Sequence, residues 1–438
     1  MFRKLAALIA LLLLVGAWSF GSDVGLLLFG RCDAVAWAAS HTVPAPPPVT
    51  LGRHSARVLD THRVVPGDGL PPAVDVKRSN NNLDVTRFGG RTYLAFRSAD
   101  SHFAGDTTVI HVVSSDDERS WRPEARFAIG RDLREPRWLP LDGRLFLYVT
   151  VLGSSSYAFE PERVDVTELV TPSHPAAATS PEGVDSPPSG NFGPLEPVGL
   201  PGRVAWRTRV IEGRGFMTAY HGGENLYSLG RKPMTVELYE TTDGRHWRPA
   251  DPANPAVSHG GGSEADFALL PSGSLFGVIR NEAGDEGGWG SKLCRATRRA
   301  LGAWTCTSDP RKFDSPNVFV HDGEVYFFAR RNLANDGRYD LGVGSGLLRM
   351  LRNQLAYITQ AKRCALWRYD TTTEKVGFVL DLPSRGDTCF ASVLPGDAPD
   401  QLVVYDYSSD IAGPDLPWTA AQRRPSFIYR HVLELAPR

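Results

Sequence analysis

Carboxylates, arginines and tyrosines recur at matched places along this chain. Asn82 with Asp84, Glu135, Glu264 with Asp266, and Asp314 with Asn317 stand at the start of short apolar runs. Arg97, Tyr148, Tyr220 with His221, Arg280, Arg330 with Arg331, and Tyr405 with Tyr407 stand at the ends of the runs that follow. Guanidinium forks bind carboxylates through two parallel hydrogen bonds, and carboxylates either move protons or hold sugar hydroxyls. Gathered in one place, this set suits an anionic, hydroxyl-rich ligand. The bland alternative is that the charges pair with one another at a surface, where each pair contributes little. Any single Arg or Glu fits either reading; the set as a whole favours a site.

What would gather them is an internal repeat. Six segments share a polar start, a short apolar strand, a turn with Gly or Asp, and a second apolar strand. They begin at Asn81 (NNLDVTRFGGRTYLAFRS), Glu135 (EPRWLPLDGRLFLYVTV), Gly202 (GRVAWRTRVIEGRGFMTAYHGG), Glu264 (EADFALLPSGSLFGVIRNE), Ser315 (SPNVFVHDGEVYFFARRN) and Ala391 (ASVLPGDAPDQLVVYDYSSD). Their spacing, roughly fifty to eighty residues, suits a four-stranded blade with insertions. The expected fold is therefore all-β, a six-bladed β-propeller over residues 76–438. In a blade the first strand runs along the central channel and the second returns. Residues before the first strand and after the second then share one end of the ring, and the Gly-containing turns take the other.

Three stretches depart from the pattern. Residues 40–75 read as a linker, Pro-rich at Val43–Val49, followed by a first strand. Thr171–Pro197 reads as a long surface loop. From Gly346 to Lys362, Leu347, Leu348, Leu351, Leu355 and Ile358 fall at helical spacing, which predicts one amphipathic helix decorating the fifth blade. Phe427–Leu435 alternates like a strand and is expected to close the ring against an early strand.

With 42% hydrophobic and 10% aromatic residues the chain is a globular protein, and 33 Pro with 43 Gly suit short strands and many turns. A net charge of −1 argues against a general affinity for nucleic acid. Residues 1–39 read as an export signal or an anchor. Arg3 and Lys4 precede the apolar run Leu5–Val15, and small residues cluster at Ala34, Ala36, Ala38 and Ala39. Cleavage there would release the protein outside the cytoplasm. Retention of residues 5–29 would hold it at a membrane, against the cost of Asp23 within the span. Besides Cys32, four cysteines (Cys294, Cys306, Cys364 and Cys389) permit three pairings. The local pairing would close two short loops across β-hairpins, and export favours disulfides over free thiols. No C-x-x-C spacing supports zinc and no EF-hand supports calcium. No metal or cofactor is expected, and a monomer is.

SSDDERSW (Ser114–Trp121) and ETTDGRHW (Glu240–Trp247) resemble Asp-boxes, the S-x-D-x-G-x-x-W turns of sialidase-like propellers. Ser114, Asp116 and Trp121 fit the first, with Glu118 replacing Gly; Gly244 and Trp247 fit the second, with Asp243 one place late. Such a turn is structural, held by Asp bonds to backbone N–H over a packed Trp.

From about Arg78 onward the chain resembles the sialidases. The resemblance implies an exo-acting glycosidase that removes terminal acidic sugars from extracellular glycans. In that family an arginine triad grips the sugar carboxylate, a tyrosine backed by a glutamate attacks the anomeric carbon, and an aspartate is the acid/base. Glu264 and Arg280 resemble the glutamate and the second arginine. Arg78 resembles the first arginine, although Ser79-Asn80 follows it in place of Ile-Pro, and Arg330 resembles the third. Asp106 resembles the acid/base residue, with Asp100 its rival. Arg97, Glu135 and Asp84 are expected to contact substrate. At the tyrosine's place stands Phe390, so Tyr405 or Tyr407 is expected to take over as nucleophile.

Two further readings stay open. Asp84, Glu135 and Glu264 open the first, second and fourth blades, which resembles the three-acid arrangement of five-bladed furanosidase-type glycosidases. Phe390 also fits a glycan-binding, lectin-like propeller that kept the pocket and lost the nucleophile. His102 and His221 would hold hydroxyls or serve as structural histidines.

Overall fold

The computed structural model describes residues 52–155, 158–170, 191–225, 233–334 and 337–438. The expected leader with its apolar stretch 5–29, the Pro-rich stretch and most of the loop expected over Thr171–Pro197 lie outside them.

Alternating apolar strands that are buried on both faces need sheets on both sides, and a ring of sheets supplies them. Blade 1 comprises β2 (Ser79–Phe88), β3 (Arg91–Ala99), β4 (Val109–Ser115) and β5 (Arg122–Phe127). Blade 2 comprises β6 (Asp132–Leu141), β7 (Arg144–Leu152), β8 (Pro161–Glu168) and β9 (Glu196–Pro197). Blade 3 comprises β10 (Arg203–Ile211), β11 (Arg214–His221), β12 (Met234–Thr241), β13 (Arg248–Pro249) and β14 (Ala256–Gly260). Blade 4 is β15 (Gly262–Leu269), β16 (Leu275–Asn281), β17 (Lys292–Ala296) and β18 (Thr305–Ser308). Blade 5 is β19 (Asp314–His321), β20 (Glu324–Asn332), β21 (Lys362–Asp370) and β22 (Lys375–Asp381). Blade 6 has β23 (Ser392–Pro395), β24 (Gln401–Ser408) and β25 (Phe427–Pro437), with β1 (His54–Val65) as its outer strand.

All six hairpins read from the sequence are thus the inner two strands of a blade. β1 pairs antiparallel with β25 from His54↔Pro437 to Val65↔Ile428, so the two ends of the described chain close one sheet. The ring therefore begins at His54, ahead of the boundary expected at residue 76. Two-residue turns join several inner strands: Asp142–Gly143 and Asp322–Gly323 both have positive φ, as a type I′ hairpin requires. Core side chains fill the gaps between blades. Tyr93, Ala95 and Ile110 of blade 1 meet Leu133, Trp138 and Leu147 of blade 2 in one such layer.

The two Asp-box-like turns are superimposable in their bonding, one place off the register read from sequence. Asp117, not Asp116, accepts from the Arg119 and Ser120 amides at 2.8 and 2.7 Å, with Ser115 Oγ beside it at 2.9 Å. Asp243 accepts from the Arg245 and His246 amides at 2.8 Å each, with Thr241 Oγ1 at 3.1 Å. Glu118 (φ 57°) stands where Gly244 (φ 75°) stands. The shared pattern is therefore Ser/Thr-x-Asp-Gly/Glu-x-x-Trp. These bonds hold both carboxyls well below the usual range.

The disulfides follow the local pairing. Cys294–Cys306 joins directly opposed residues of β17 and β18. Cys364–Cys389 runs from β21 to the segment ahead of β23, so it ties blade 5 to blade 6 and does not close a hairpin. Between β20 and β21 lies α1 (Gly346–Thr359), close to the expected helix. Its packed face differs from the expected one: Met350, Asn353, Ala356 and Tyr357 are buried, while Leu347 and Leu348 are exposed. α2 (Trp418–Ala421) sits in the loop before β25. Among the described residues, no helix is long and apolar enough to cross a membrane.

Candidate functional site

Each of five inner strands enters the ring with a fault in its pairing. Register shifts fall at Asn81/Leu83, Arg134/Arg137, Ala205/Arg207, Gly262/Ala265 and Asp314/Asn317. A bulge breaks the alternation of a strand and re-aims a side chain. Four of the residues at these faults, Asn82, Glu135, Glu264 and Ser315, line one cavity of about 410 Å³ at this end of the ring. Asn82, Glu135 and Ser315 hold φ of 41°, 52° and 54°. For residues with a Cβ that conformation costs on the order of 1 kcal/mol or more each, and such strain gathers where function needs it. Phe390 lines the cavity from blade 6, after Cys389 at φ 80°.

Glu135 and Glu264 have contrasting surroundings. Glu135 is buried, its Oε1 takes one hydrogen bond from Asn82 Nδ2 at 2.8 Å, and its Oε2, 3.6 Å from Arg137 Nη2, has no hydrogen-bond partner among the described residues. Burial raises its pKa to about 7; the Arg137 guanidinium opposes the rise, and the nearby Glu264 charge adds to it. Glu264 is salt-bridged through Oε1 to Arg280, and its Oε2 accepts from the Ser315 amide at 2.6 Å. A carboxyl poised near neutrality opposite one fixed by a guanidinium is a pattern that assigns acid and charge-stabilising roles.

Around these lies a tight ionic layer. Arg280 also donates from Nε to Glu282 at 2.8 Å and stands 3.3 Å from Asp314. Lys312 bridges Glu282 and Asp314 and lies over the rings of Tyr339 and Tyr357 at 4.2 and 4.1 Å. Burial alone would raise the Glu282 and Asp314 carboxyls, but Arg280 and Lys312 outweigh it and hold both down. Tyr357, delivered by α1, donates its hydroxyl to Asp314. Arg330 donates from Nε to the Thr388 carbonyl at 2.7 Å and reaches Asp314 at 3.5 Å. Asp387 accepts from Tyr407 and from Trp418 Nε1, each at 3.1 Å, and its other oxygen lies 2.7 Å from His102 Nδ1. Beneath, Arg137 stacks on Phe390 at 4.3 Å and on Trp206 at 5.0 Å. Arg207 donates to the Ala391 carbonyl at 2.8 Å, linking blade 3 to the start of blade 6.

Of the residues named from sequence, Asn82, Glu135, Tyr220, Glu264, Arg280 and Arg330 meet in the cavity, with His102, Phe390 and Tyr407. The others are placed elsewhere. Arg78 is exposed and does not line the cavity; Arg134 does, from the start of β6. Arg97 is fully buried below the mouth, where Asp132 takes its Nε and Nη2 at 3.1 and 2.9 Å. Asp106 is exposed on the loop whose Phe103 and Ala104 reach the cavity wall. Asp84 clasps three blades, accepting from the Trp138 amide at 2.9 Å and from Ser392 Oγ at 2.6 Å. Tyr405 packs edge-on against Trp121 of the next blade's turn at 6.2 Å, as Tyr148 packs against Trp247 at 5.5 Å. Both tyrosines are seats for turn tryptophans, and Tyr405 is fully buried away from the cavity. His221 is exposed.

Glu282, Lys312, Tyr339, Tyr357, Asp387 and Trp418 are the site residues that the repeat did not point to. In the structure Asp132, Asp314 and Asp387 each stand within three residues before a turned-out position, and all three are buried. α1 and α2 lie outside the repeat, so nothing in its spacing marked Tyr357 or Trp418.

No family model and no curated protein matches the chain. Solved structures do. A protein of unknown function from Dyadobacter fermentans matches at TM-score 0.55 and 13% identity, over 87% of this chain and 100% of that one. Trypanosoma rangeli sialidase in complex with the inhibitor DANA matches at TM-score 0.53 and 13% identity, over 82% of this chain and 55% of that one. The phage phi92 endosialidase matches at TM-score 0.53 and 11% identity, over 88% and 70%. The chain thus spans about half the length of the trypanosomal enzyme. What it has in common with these sialidases is the architecture, a six-bladed β-propeller.

Proposed function

We propose that the protein is an exported glycoside hydrolase that removes a terminal sugar from a glycan bound at the mouth of the ring. The observation that carries this is Glu135, an acid of pKa about 7 turned into a cavity opposite Glu264. Glu135 protonates the departing glycosidic oxygen; the Glu264 carboxylate faces the positive charge that develops on the sugar ring. The cavity falls in the size range of small-ligand sites, and aromatic walls beside a few fixed polar groups suit a sugar.

Three guanidiniums, Arg134, Arg280 and Arg330, line the cavity and favour an acidic sugar. Each also meets a carboxylate of the protein, so the sialidase-like specificity rests on these arginines sharing their donors with substrate. A three-acid furanosidase site has less support, because Asp84 is committed to neighbouring strands. The leader and the two disulfides support a location outside the cytoplasm.

Phe390 favours a second reading, a lectin that binds and does not cleave. Fluorogenic sialosides and neutral glycosides assayed beside a glycan array separate the two. Release by wild type that is lost in Glu135→Gln supports the hydrolase, and binding without release selects the lectin.

A further inference from the structure

We infer that His102, oriented by Asp387, is the general base that activates water for this hydrolysis, an inference that rests on the hydrolase reading. His102 lies on the loop after β3 and lines the cavity. Its Nδ1 lies 2.7 Å from Asp387 Oδ2, and the side-chain Nδ2 of Asn81, which donates to Ser79 Oγ at 3.1 Å, stands 3.3 Å from the same Nδ1 as a contact. Asp387 is itself fixed through Oδ1 by Tyr407 and Trp418. Burial would raise the Asp387 carboxyl, but His102, Arg330 and the Tyr407 hydroxyl hold it down, so it remains a carboxylate that can accept from Nδ1–H.

With Nδ1 donating, the lone pair falls on Nε2, and among the described residues no partner holds Nε2. A buried carboxylate that sets the tautomer of a solvent-reached imidazole is the arrangement of a general base. The surroundings give it a reaction to serve. Asn81 touches His102, and the adjacent Asn82 holds Glu135, so acid and base stand on two sides of one dipeptide at the cavity wall.

The step balances without another reactant. Water bonds to the anomeric carbon as its proton passes to His102 Nε2. The glycosidic C–O bond breaks with its electron pair leaving on oxygen, which takes the proton of Glu135. His102 then returns a proton to solvent and Glu135 regains one. A single displacement of this kind inverts the anomeric configuration.

The test follows product configuration by ¹H NMR and kinetics on the best substrate of the panel. The expected product is the inverted anomer. His102→Ala lowers kcat by about 10²–10⁴-fold with KM near wild type, and added imidazole restores part of the rate. His102→Gln, which still bonds Asp387, shows the same loss and decides the matter if the alanine variant fails to fold. Asp387→Asn, a change to a positioning residue, lowers kcat less and shifts the acid limb of the pH profile. A retained anomer, wild-type kcat in both His102 variants, or a loss without imidazole rescue overturns the base. Absence of hydrolysis by wild type on every substrate overturns the hydrolase reading itself.

Discussion

Asn82 and Glu135 occupy the same place in neighbouring blades, each turned out of its inner strand at positive φ, and Asn82 Nδ2 donates to Glu135 Oε1 across 2.8 Å. The repeat thus does two jobs. Its apolar alternation builds the blades, and the faults at the heads of four inner strands turn Asn82, Glu135, Glu264 and Ser315 into the cavity. Residues 53 positions apart in sequence become hydrogen-bond partners this way.

Arg280 tests how far the ionic layer is structural. By its resemblance to the family's second arginine it is expected to be a substrate clamp. In the structure it is buried among Glu264, Glu282 and Asp314. Removing one partner of a buried network leaves charges uncompensated, at a cost of about 3–5 kcal/mol. Arg280→Ala should therefore melt well below wild type in a calorimetric scan. An unchanged melting temperature would mean that the carboxylates find other partners and that the clamp reading holds.

Ring closure is a second test. β1 covers the edge of β25, whose Leu433 and Leu435 are fully buried in the same cluster that Ala56 and Val58 pack against. A chain starting at Gly52 should fold as the longer one does. A chain starting after Val65 loses ten ladder pairings and exposes an apolar edge strand, so it should aggregate or unfold on purification. Equal melting of the two would show that three strands suffice for blade 6.

The disulfides close loops of 12 and 25 residues. In the chain-entropy account each constrains the unfolded state by about 3 kcal/mol. Cys294→Ala with Cys306→Ala should lower the denaturation midpoint and leave kcat near wild type. Cys364→Ala with Cys389→Ala should lower both, because Cys389 lies between Thr388, which anchors Arg330, and Phe390 in the cavity wall.

The fold was legible because it is periodic: six hairpins, a shared turn and two Trp-ending turns all repeat. The cavity was legible where it uses the repeat, as at Glu135, Glu264, Arg280 and Arg330. It was illegible where it does not. Tyr357 and Trp418 arrive on inserted helices, and Asp387 looks like any loop aspartate until the ring brings His102 beside it. Tyr405 misled for a physical reason. Position along a strand gives the end of the ring but not the face of the sheet, and Tyr405 points between blades toward Trp121.

Glu135 carries the central claim, and its titration tests that claim most directly. Its folded pKa of about 7 lies above the ordinary 4.5, so the folded state binds the proton more tightly. That contribution to stability is present in full below about pH 4.5 and is lost as pH rises through about 7. On the proposed mechanism the protonated form is the active acid, so kcat/KM of wild type should fall on the alkaline side with an apparent pKa near 7. In Glu135→Gln the rate should be low and that limb absent. In Asn82→Ala, which loses a hydrogen bond to the charged form, the limb should move upward. A wild-type profile flat from pH 6 to 9, or an alkaline limb that survives in Glu135→Gln, would contradict the assignment of Glu135 as the acid.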